Sequence, residues 1–341
     1  MKQVLVTWPD YPMDDPRAGA RLAPAGIVPV LAPKRGPRTE TEIAQLARGC
    51  FAVIASTDPF TEAVLTQLPD LRLIARVGVG MDSIDIDAAT RLGVLVCVAR
   101  GTNELAVAEH TVALMLAALR RIVQCDRSVR AGEWNRTGRL TGNDLHGKTV
   151  GLLGFGVIGR AVANLLRSFD VRLIAFDPAV ASDPAVEIVA FDEVLARADI
   201  LSVHVPLLPT SRHLIGAREL ALMKRGAILV NTSRGGIIDE ASLKAALADG
   251  HIGMSALDVF EEEPPSTSFL LAATDRTILT PHVAGLTVES IAAMQEHATD
   301  AVIDVLKGRM PQGVVDPSAW RDGAPRQDES APVPQHRGGR P

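Results

Sequence analysis

Three side chains of complementary chemistry stand far apart in the chain: Arg234 in "AILVNTSRGGIIDE", Glu263 in "ALDVFEEEPP" and His282 in "ILTPHVAG". Each lies at or just past the end of a strand-like apolar run, Ala227–Asn231, Ile252–Leu257 and Thr277–Leu279 respectively. In an open parallel sheet, ligands bind outside the carboxyl ends of the strands, so positions remote in sequence can converge there. A guanidinium keeps its charge in any site and takes a carboxylate bidentately. An imidazole titrates near neutrality and can hand a proton to a carbonyl oxygen as hydride reaches the adjoining carbon. A carboxylate on the far ring nitrogen would fix the tautomer. Such acid–base help is worth about 10²–10⁴ in rate, or about 3–5 kcal/mol. Plainer readings compete: a solvated glutamate run, and one structural histidine among the chain's eight. Arg234, flanked by small and apolar residues, fits them least well.

A second constellation lies beside the first. "KTVGLLGFGVIGRAVANLL" places Gly154, Gly156 and Gly159 in G-x-G-x-x-G, directly after a strand pattern and opening a helix pattern, with Val157 and Ile158 inside the turn. One glycine serves the tight turn, one lets a pyrophosphate approach the backbone, and one allows close helix–strand packing. The phosphates would sit at the positive end of the helix dipole. Asp177 ends the next strand pattern, placed to accept hydrogen bonds from an adenosine ribose diol. Pro178 and Ala179 follow it, and no arginine is there to meet a 2′-phosphate, so NAD is favoured over NADP. The single tyrosine, Tyr11, lies outside this region, and Cys50, Cys97 and Cys125 are scattered, so neither a tyrosine acid nor a cysteine-built zinc cage is expected. No metal site is expected at all.

Short β-rich runs alternate with helical patterns along the chain. In the first hundred residues the strand patterns are Val4–Thr7, Ile27–Leu31, Ala52–Ala55, Leu73–Ala75 and Val94–Val98, with helical patterns at Thr39–Ala47 and Ile84–Leu92. A second series runs through Thr149–Leu153, Arg172–Phe176, Ile200–Val205 and the three runs named above. Such alternation implies parallel sheets covered on both faces. Asn103–Val123 is read as one long helix leading from the first series to the second, and Val288–Lys307 as another that returns. The 341 residues exceed one ordinary core and imply two domains. A net charge of −5 shows no basic face for nucleic acid. The longest strictly apolar run, Val112–Leu119, falls far short of the roughly 20 residues that span a bilayer. The N-terminus has no secretory pattern, and the unpaired cysteine set suits a reducing cytosol.

Seven motifs taken in order resemble the D-isomer-specific 2-hydroxyacid dehydrogenase family, closest to its phosphoglycerate dehydrogenase branch: "RVGVGMDSID", "NELAVAEHTVALMLA", "GKTVGLLGFGVIGR", "HVPLLPTSRHLI", "VNTSRGGIIDE", "ALDVFEEEP" and "TPHVAGLT". The resemblance covers about residues 45 to 317. It implies two doubly wound α/β domains, a flavodoxin-like substrate domain and a Rossmann NAD-binding domain, closing a cleft over a small 2-oxo or 2-hydroxy acid. Arg234 would bind the substrate carboxylate and carbonyl, His282 would donate the proton, and Glu263 would orient it. The resemblance also implies that Asp258 holds the nicotinamide carboxamide, that Val205, Pro206 and Thr210 line the adenine side, and that Thr232 and Gly285 lie near the cofactor. Backbone amides of Val79 and Gly80 would complete the carboxylate site. A homodimer through the NAD-binding domain is implied, with the segment around Trp134 meeting the partner subunit.

On this reading residues 1–101 with 284–312 form the substrate domain, 102–283 the NAD-binding domain, and 313–341 a Pro/Gly-rich, charged, disordered tail. Phosphoglycerate dehydrogenases often carry an Arg where this chain has Ala55 before Ser56, which places a phosphorylated substrate in question. Hydroxypyruvate or glyoxylate reductase and a D-lactate-type dehydrogenase therefore stand as alternatives. An NADH-sensing corepressor-like binding protein is a more distant one.

Overall fold

The computed structural model describes residues 1–33, 38–265, 275–321 and 324–325. They fall into two compact units, residues 1–103 together with the segment from Val288, and residues 104–287. The second crossing thus comes at the start of the long C-terminal helix, four residues beyond the expected 284.

The first unit is built on a five-stranded parallel sheet of order β2-β1-β3-β4-β5, with β1 Lys2–Val6, β2 Ile27–Leu31, β3 Ala52–Ala55, β4 Leu73–Arg76 and β5 Leu95–Cys97. This is the flavodoxin-like order. Strands β3, β4 and β5 are buried along their whole length, which is why they read as unbroken apolar runs. Helices α1 (Glu40–Leu46), α2 (Glu62–Leu65) and α3 (Ile86–Arg91) cover one face. Thr39 and Glu42 close a capping box on α1, and Asp85 caps α3. The other face is covered from the far end of the chain by the helix Val288–Leu306, which buries Met294, Ala298, Val302 and Ile303 there.

The expected tail is the main departure. From Gly313 to Trp320 the chain is packed rather than free: the Val98 amide donates to the Gly313 carbonyl (3.0 Å), Val314 pairs with Cys97, and the Val315 amide donates to Val96 (2.9 Å). Gly313 has φ +75° and its missing Cβ would lie 2.2 Å from the Val98 carbonyl oxygen, so glycine alone fits that approach. Asp316 then caps the turn Pro317–Ala319, and Trp320 packs on the core. Composition could not reveal this, because the anchoring is by backbone pairing to a strand more than two hundred residues away. Apart from the backbone of 321 and 324–325, the remainder of the expected tail lies outside the described residues.

The second unit carries a seven-stranded parallel sheet of order β12-β11-β10-β9-β6-β7-β8. Its strands are β6 Thr149–Leu153, β7 Arg172–Phe176, β8 Glu187–Ile188, β9 Ile200–Val203, β10 Ala227–Asn231, β11 Ile252–Leu257 and β12 Thr277–Leu279. The order reverses between β6 and β9, the crevice where such sheets take ligands. Only the two-residue edge strand β8 escapes the sequence reading, being too short for a pattern. Helices α4 (Glu104–Arg120) and α6 (Val157–Leu166) cover one face, and α7 (Phe191–Arg197), α8 (Ala217–Leu222) and α9 (Glu240–Ala248) the other.

The helix expected across Asn103–Val123 is in fact two. It stops at Arg120, Arg121 turns left-handed (φ +52°), and α5 runs over Ile122–Arg130. The returning chain explains the break. Asn143 donates its amide to the Leu119 carbonyl (2.9 Å), and Gly142 passes so close that a Cβ would lie 2.8 Å from that oxygen. A later segment thus takes over a carbonyl that the helix end leaves unpaired.

Candidate active site

The dinucleotide turn is built as its glycines require. Gly154 has φ +92°, and a Cβ there would lie 2.6 Å from the His204 carbonyl oxygen, so the turn after β6 is pressed against the end of β9. At Gly159 a Cβ would meet the Gly154 oxygen at 2.5 Å, which brings α6 close to the strand end. Gly156 faces open space instead, leaving room at the helix N-terminus for a phosphate. Val157 is largely exposed beside it. Asp177, just past β7, accepts the Phe155 amide (2.8 Å) and the Ala179 amide (2.8 Å), one on each oxygen. A carboxylate has about four acceptor positions, so a ribose diol can still be taken. These residues fit a dinucleotide.

Beyond β9 come Val205 and Pro206, and the Ser211 hydroxyl fastens the following turn to the Pro206 carbonyl (2.6 Å), next to the exposed Thr210. His204, not singled out from sequence, meets Ser202 through Nε2 (2.9 Å). Burial pushes its imidazole down to about 4, so it is neutral at physiological pH.

Arg234 is aimed by the end of β10. Asn231, 1% exposed, accepts the Ser233 amide (3.0 Å) and hydroxyl (2.7 Å) on its oxygen and donates to the Arg234 carbonyl (2.8 Å). That Asx-type turn fixes the backbone of residues 231–234. The Arg234 guanidinium donates to the Ser233 carbonyl (2.6 Å). Gly235 follows because no other residue fits: a Cβ would lie 1.9 Å from the Phe260 carbonyl carbon. The loop after β10 therefore lies directly on the loop after β11.

That second loop carries Glu263. Its Oε1 accepts the Phe260 amide (3.1 Å), and its Oε2 lies 2.7 Å from His282 Nδ1. Burial alone would raise the Glu263 carboxyl. The hydrogen bond and charge of His282, the Phe260 amide and the Arg234 charge outweigh it and hold the group below its ordinary value. His282 sits at φ +55°, a left-handed conformation uncommon for a side-chain-bearing residue. Its amide donates to the Asp258 carbonyl (2.8 Å). With Nδ1 committed to Glu263, Nε2 is the nitrogen left to serve a substrate.

Asp258 holds this turn from inside. Its side chain is fully buried and accepts from the Thr280 hydroxyl (2.5 Å) and the Val283 amide (3.0 Å) on Oδ1, and from the Ala284 amide (2.8 Å) on Oδ2. In the structure its carboxylate is thus engaged in shaping residues 280–284, the segment that precedes Gly285. Thr232 is also turned inward, its hydroxyl paired with Thr111 of α4 (2.8 Å). His110 reaches Thr280 through Nε2 (3.1 Å) and was missed from sequence, although "EHT" is a polar interruption in an otherwise apolar helix. Val79 and Gly80 belong to the other unit, in the turn after β4, where Arg76 donates to the Gly80 carbonyl (2.9 Å). Among the described residues no group of three His, Cys, Asp or Glu is arranged for a metal, and no helix is long and apolar enough to cross a membrane.

A doubly wound sheet with this turn at its switch point, and an Arg, a Glu and a His on neighbouring strand ends, defines a dinucleotide-binding oxidoreductase fold. The model of the D-isomer specific 2-hydroxyacid dehydrogenase NAD binding domain matches residues 112–284. The chain is 42% identical over 268 residues to a D-3-phosphoglycerate dehydrogenase of Methanocaldococcus jannaschii, covering 77% of this chain and 51% of that one. It is 42% identical over 267 residues to a glyoxylate reductase of Thermofilum pendens, covering 76% and 79%. Among solved structures, a glyoxylate reductase from Paecilomyes thermophila superposes with a TM-score of 0.82 at 31% identity, covering 92% and 98%. The chain belongs to the D-isomer specific 2-hydroxyacid dehydrogenase family. It spans about half the length of the phosphoglycerate dehydrogenases it matches.

Proposed function

We propose that the protein is an NAD-dependent 2-hydroxyacid dehydrogenase that interconverts a small 2-oxo acid and its 2-hydroxy acid. The observation that carries this reading is the Glu263–His282 pair, 2.7 Å apart, with Glu263 on a loop packed against the one that carries Arg234. Gly154, Gly156, Val157, Ile158 and Gly159 would hold the pyrophosphate, Asp177 the ribose, and Val205, Pro206 and Thr210 the adenine side. Thr232, Asp258 and Gly285 would border the nicotinamide. NADH, when bound, supplies the hydride to the carbonyl carbon. Arg234 binds the acid's carboxylate by its two-pronged geometry and polarises the adjoining carbonyl. His282 gives the Nε2 proton to the carbonyl oxygen as it becomes an alcohol. Glu263 stays ionised, holding Nδ1–H and stabilising the charged ring before transfer. In the oxidative direction the neutral ring takes the hydroxyl proton back.

An unphosphorylated acid is favoured. Ala55 is buried where a phosphate-holding arginine is often found, and in the same unit Arg38, with 3% of its side chain exposed, is paired with Asp58 at 2.8 Å. A buried, neutralised cation is a poor phosphate receptor. NADH consumption with hydroxypyruvate, glyoxylate, pyruvate and 3-phosphohydroxypyruvate side by side tests this. Turnover of the first two above the last is expected, and strong preference for the phosphorylated acid would overturn the substrate assignment.

The same reading takes the protein as a cytosolic homodimer joined through the second unit. Support comes from three unpaired thiols and from Ile122, Val129 and Trp134 standing exposed, Trp134 at 78%. Cell fractionation checks the first point. Light scattering checks the second: Trp134→Glu should shift the protein from dimer to monomer.

A further inference from the structure

The two loops that carry Arg234 and Glu263 leave neighbouring strands, and past the bond from the Asp258 amide to the Asn231 carbonyl (2.9 Å) the strand pairing no longer fixes one against the other. A small cluster outside the reacting residues does so. The Glu261 amide donates to Glu240 Oε1 (2.8 Å), and the Glu240 amide donates to Glu261 Oε1 (3.1 Å). Glu240 is the first residue of α9, so the Glu261 carboxylate takes one of the helix's unpaired N-terminal amides, at the end where the dipole favours negative charge. This reciprocal pair joins the element that follows Arg234 to the loop that precedes Glu263.

His213 adds links to both sides. Its backbone amide donates to the Gly236 carbonyl (2.8 Å), two residues past Arg234. Its Nε2 lies 3.1 Å from Glu261 Oε1, and its Nδ1 lies 3.7 Å from Asp239 Oδ2, the residue that caps α9. It does this from φ +52°, the same uncommon conformation as His282. Backbone strain of that kind persists only where surrounding contacts over-determine it. The cluster also holds like charges together. Burial pushes the Glu240 carboxyl above its ordinary value, and the charges of Glu261 and Glu263 add to this against the Glu261 amide. Arg212 is the cation beside Gly236.

We propose that His213, Glu240 and Glu261 form a clamp that locks the Arg234 loop to the Glu263 loop, and so act as positioning residues for proton transfer and carboxylate binding. The inference rests on the dehydrogenase reading above. His213 and Glu261 act through Glu263 and Arg234.

Hydrogen exchange on the full-length protein tests the clamp without turnover. In Glu261→Ala and in His213→Gln, amides of residues 234–238 and 259–263 should exchange about tenfold faster together, while β6, β9 and β10 keep wild-type protection and so report an intact fold. Glu240→Ala should do the same. Glu240→Gln should not, because its amide oxygen accepts the same Glu261 N–H. In kinetics, Glu261→Ala should lower kcat about tenfold with NADH affinity unchanged, and should move the acid limb of kcat/KM upward as Glu263 loses its partners. Added to Glu263→Gln, the same change should cost less in kcat than it does in the wild type, because the part that acts through Glu263 is already lost.

Faster exchange in one loop alone, or losses that add in the double variant, would overturn the clamp. A wild-type protein that consumes NADH with no 2-oxo acid would overturn the dehydrogenase reading, and the positioning role with it. Turnover with independently moving loops would overturn the clamp alone.

Discussion

At the residue scale the site depends on geometry that charge alone does not supply. Arg234 and a lysine carry the same charge, but only the guanidinium can face a carboxylate with two parallel donors. Losing one charge-assisted hydrogen bond of about 1.5–3 kcal/mol corresponds to about 10–100-fold in kcat/KM. Arg234→Lys should therefore raise KM for the acid and lower turnover by that amount, with NADH binding unchanged by fluorescence titration. Unchanged steady-state kinetics would remove Arg234 from the substrate site. The pH dependence follows from Glu263. Its carboxyl lies below the ordinary value, so the pairing with His282 is present above the lowered pKa and is lost as pH falls through it. The acid limb due to Glu263, identified as the one Glu263→Gln abolishes, should lie below the ordinary glutamate value in a kcat/KM profile. A limb at or above that value would contradict the observed partners. Arg234, Glu263 and His282 were legible because each charge follows an apolar run at a strand end. His213 and Glu261 were not, since a histidine in a turn and one glutamate among three look like solvated loop until the chain folds back on α9.

At the element scale, the sheet is legible and its joints are not. Strands such as Ala227–Asn231 are buried on both faces and so announce themselves as continuous apolar runs. The break at Arg121 and the packing of the loops after β10 and β11 come from backbone brought in from elsewhere, at Gly142 and Phe260, and leave no local pattern. Gly235→Ala makes the second joint testable. A Cβ placed 1.9 Å from the Phe260 carbonyl carbon must push the two loops apart, and overpacking of this kind costs about 1–3 kcal/mol. The variant should unfold at lower denaturant concentration and lose most of its turnover while still binding NADH, whose turn lies at β6. Wild-type stability and kcat in this variant would mean that the loops have slack.

At the scale of the whole molecule, the first unit is made from both ends of the chain. The helix Val288–Leu306 buries Met294, Ala298, Val302, Ile303 and Val305 on the sheet formed by residues 2–97. Each large apolar side chain is worth about 1.5–3 kcal/mol on burial. Removing the helix therefore costs on the order of 10 kcal/mol, as much as a whole domain's stability of about 5–15 kcal/mol. A chain ended after Thr287 should lose the fold of the first unit and keep that of the second. Limited proteolysis would show this as a resistant fragment beginning near Glu104, and survival of residues 1–103 would refute it.

The pairing of Gly313–Val315 with the strand Leu95–Cys97 carries a consequence for synthesis. A ribosome makes the five strands of the first unit early but the helix and the closing segment only after the entire second unit has emerged. The early strands must therefore wait with one apolar face bare while the intervening unit folds. During that interval the nascent chain is a natural client for a chaperone that shields exposed sheet surface.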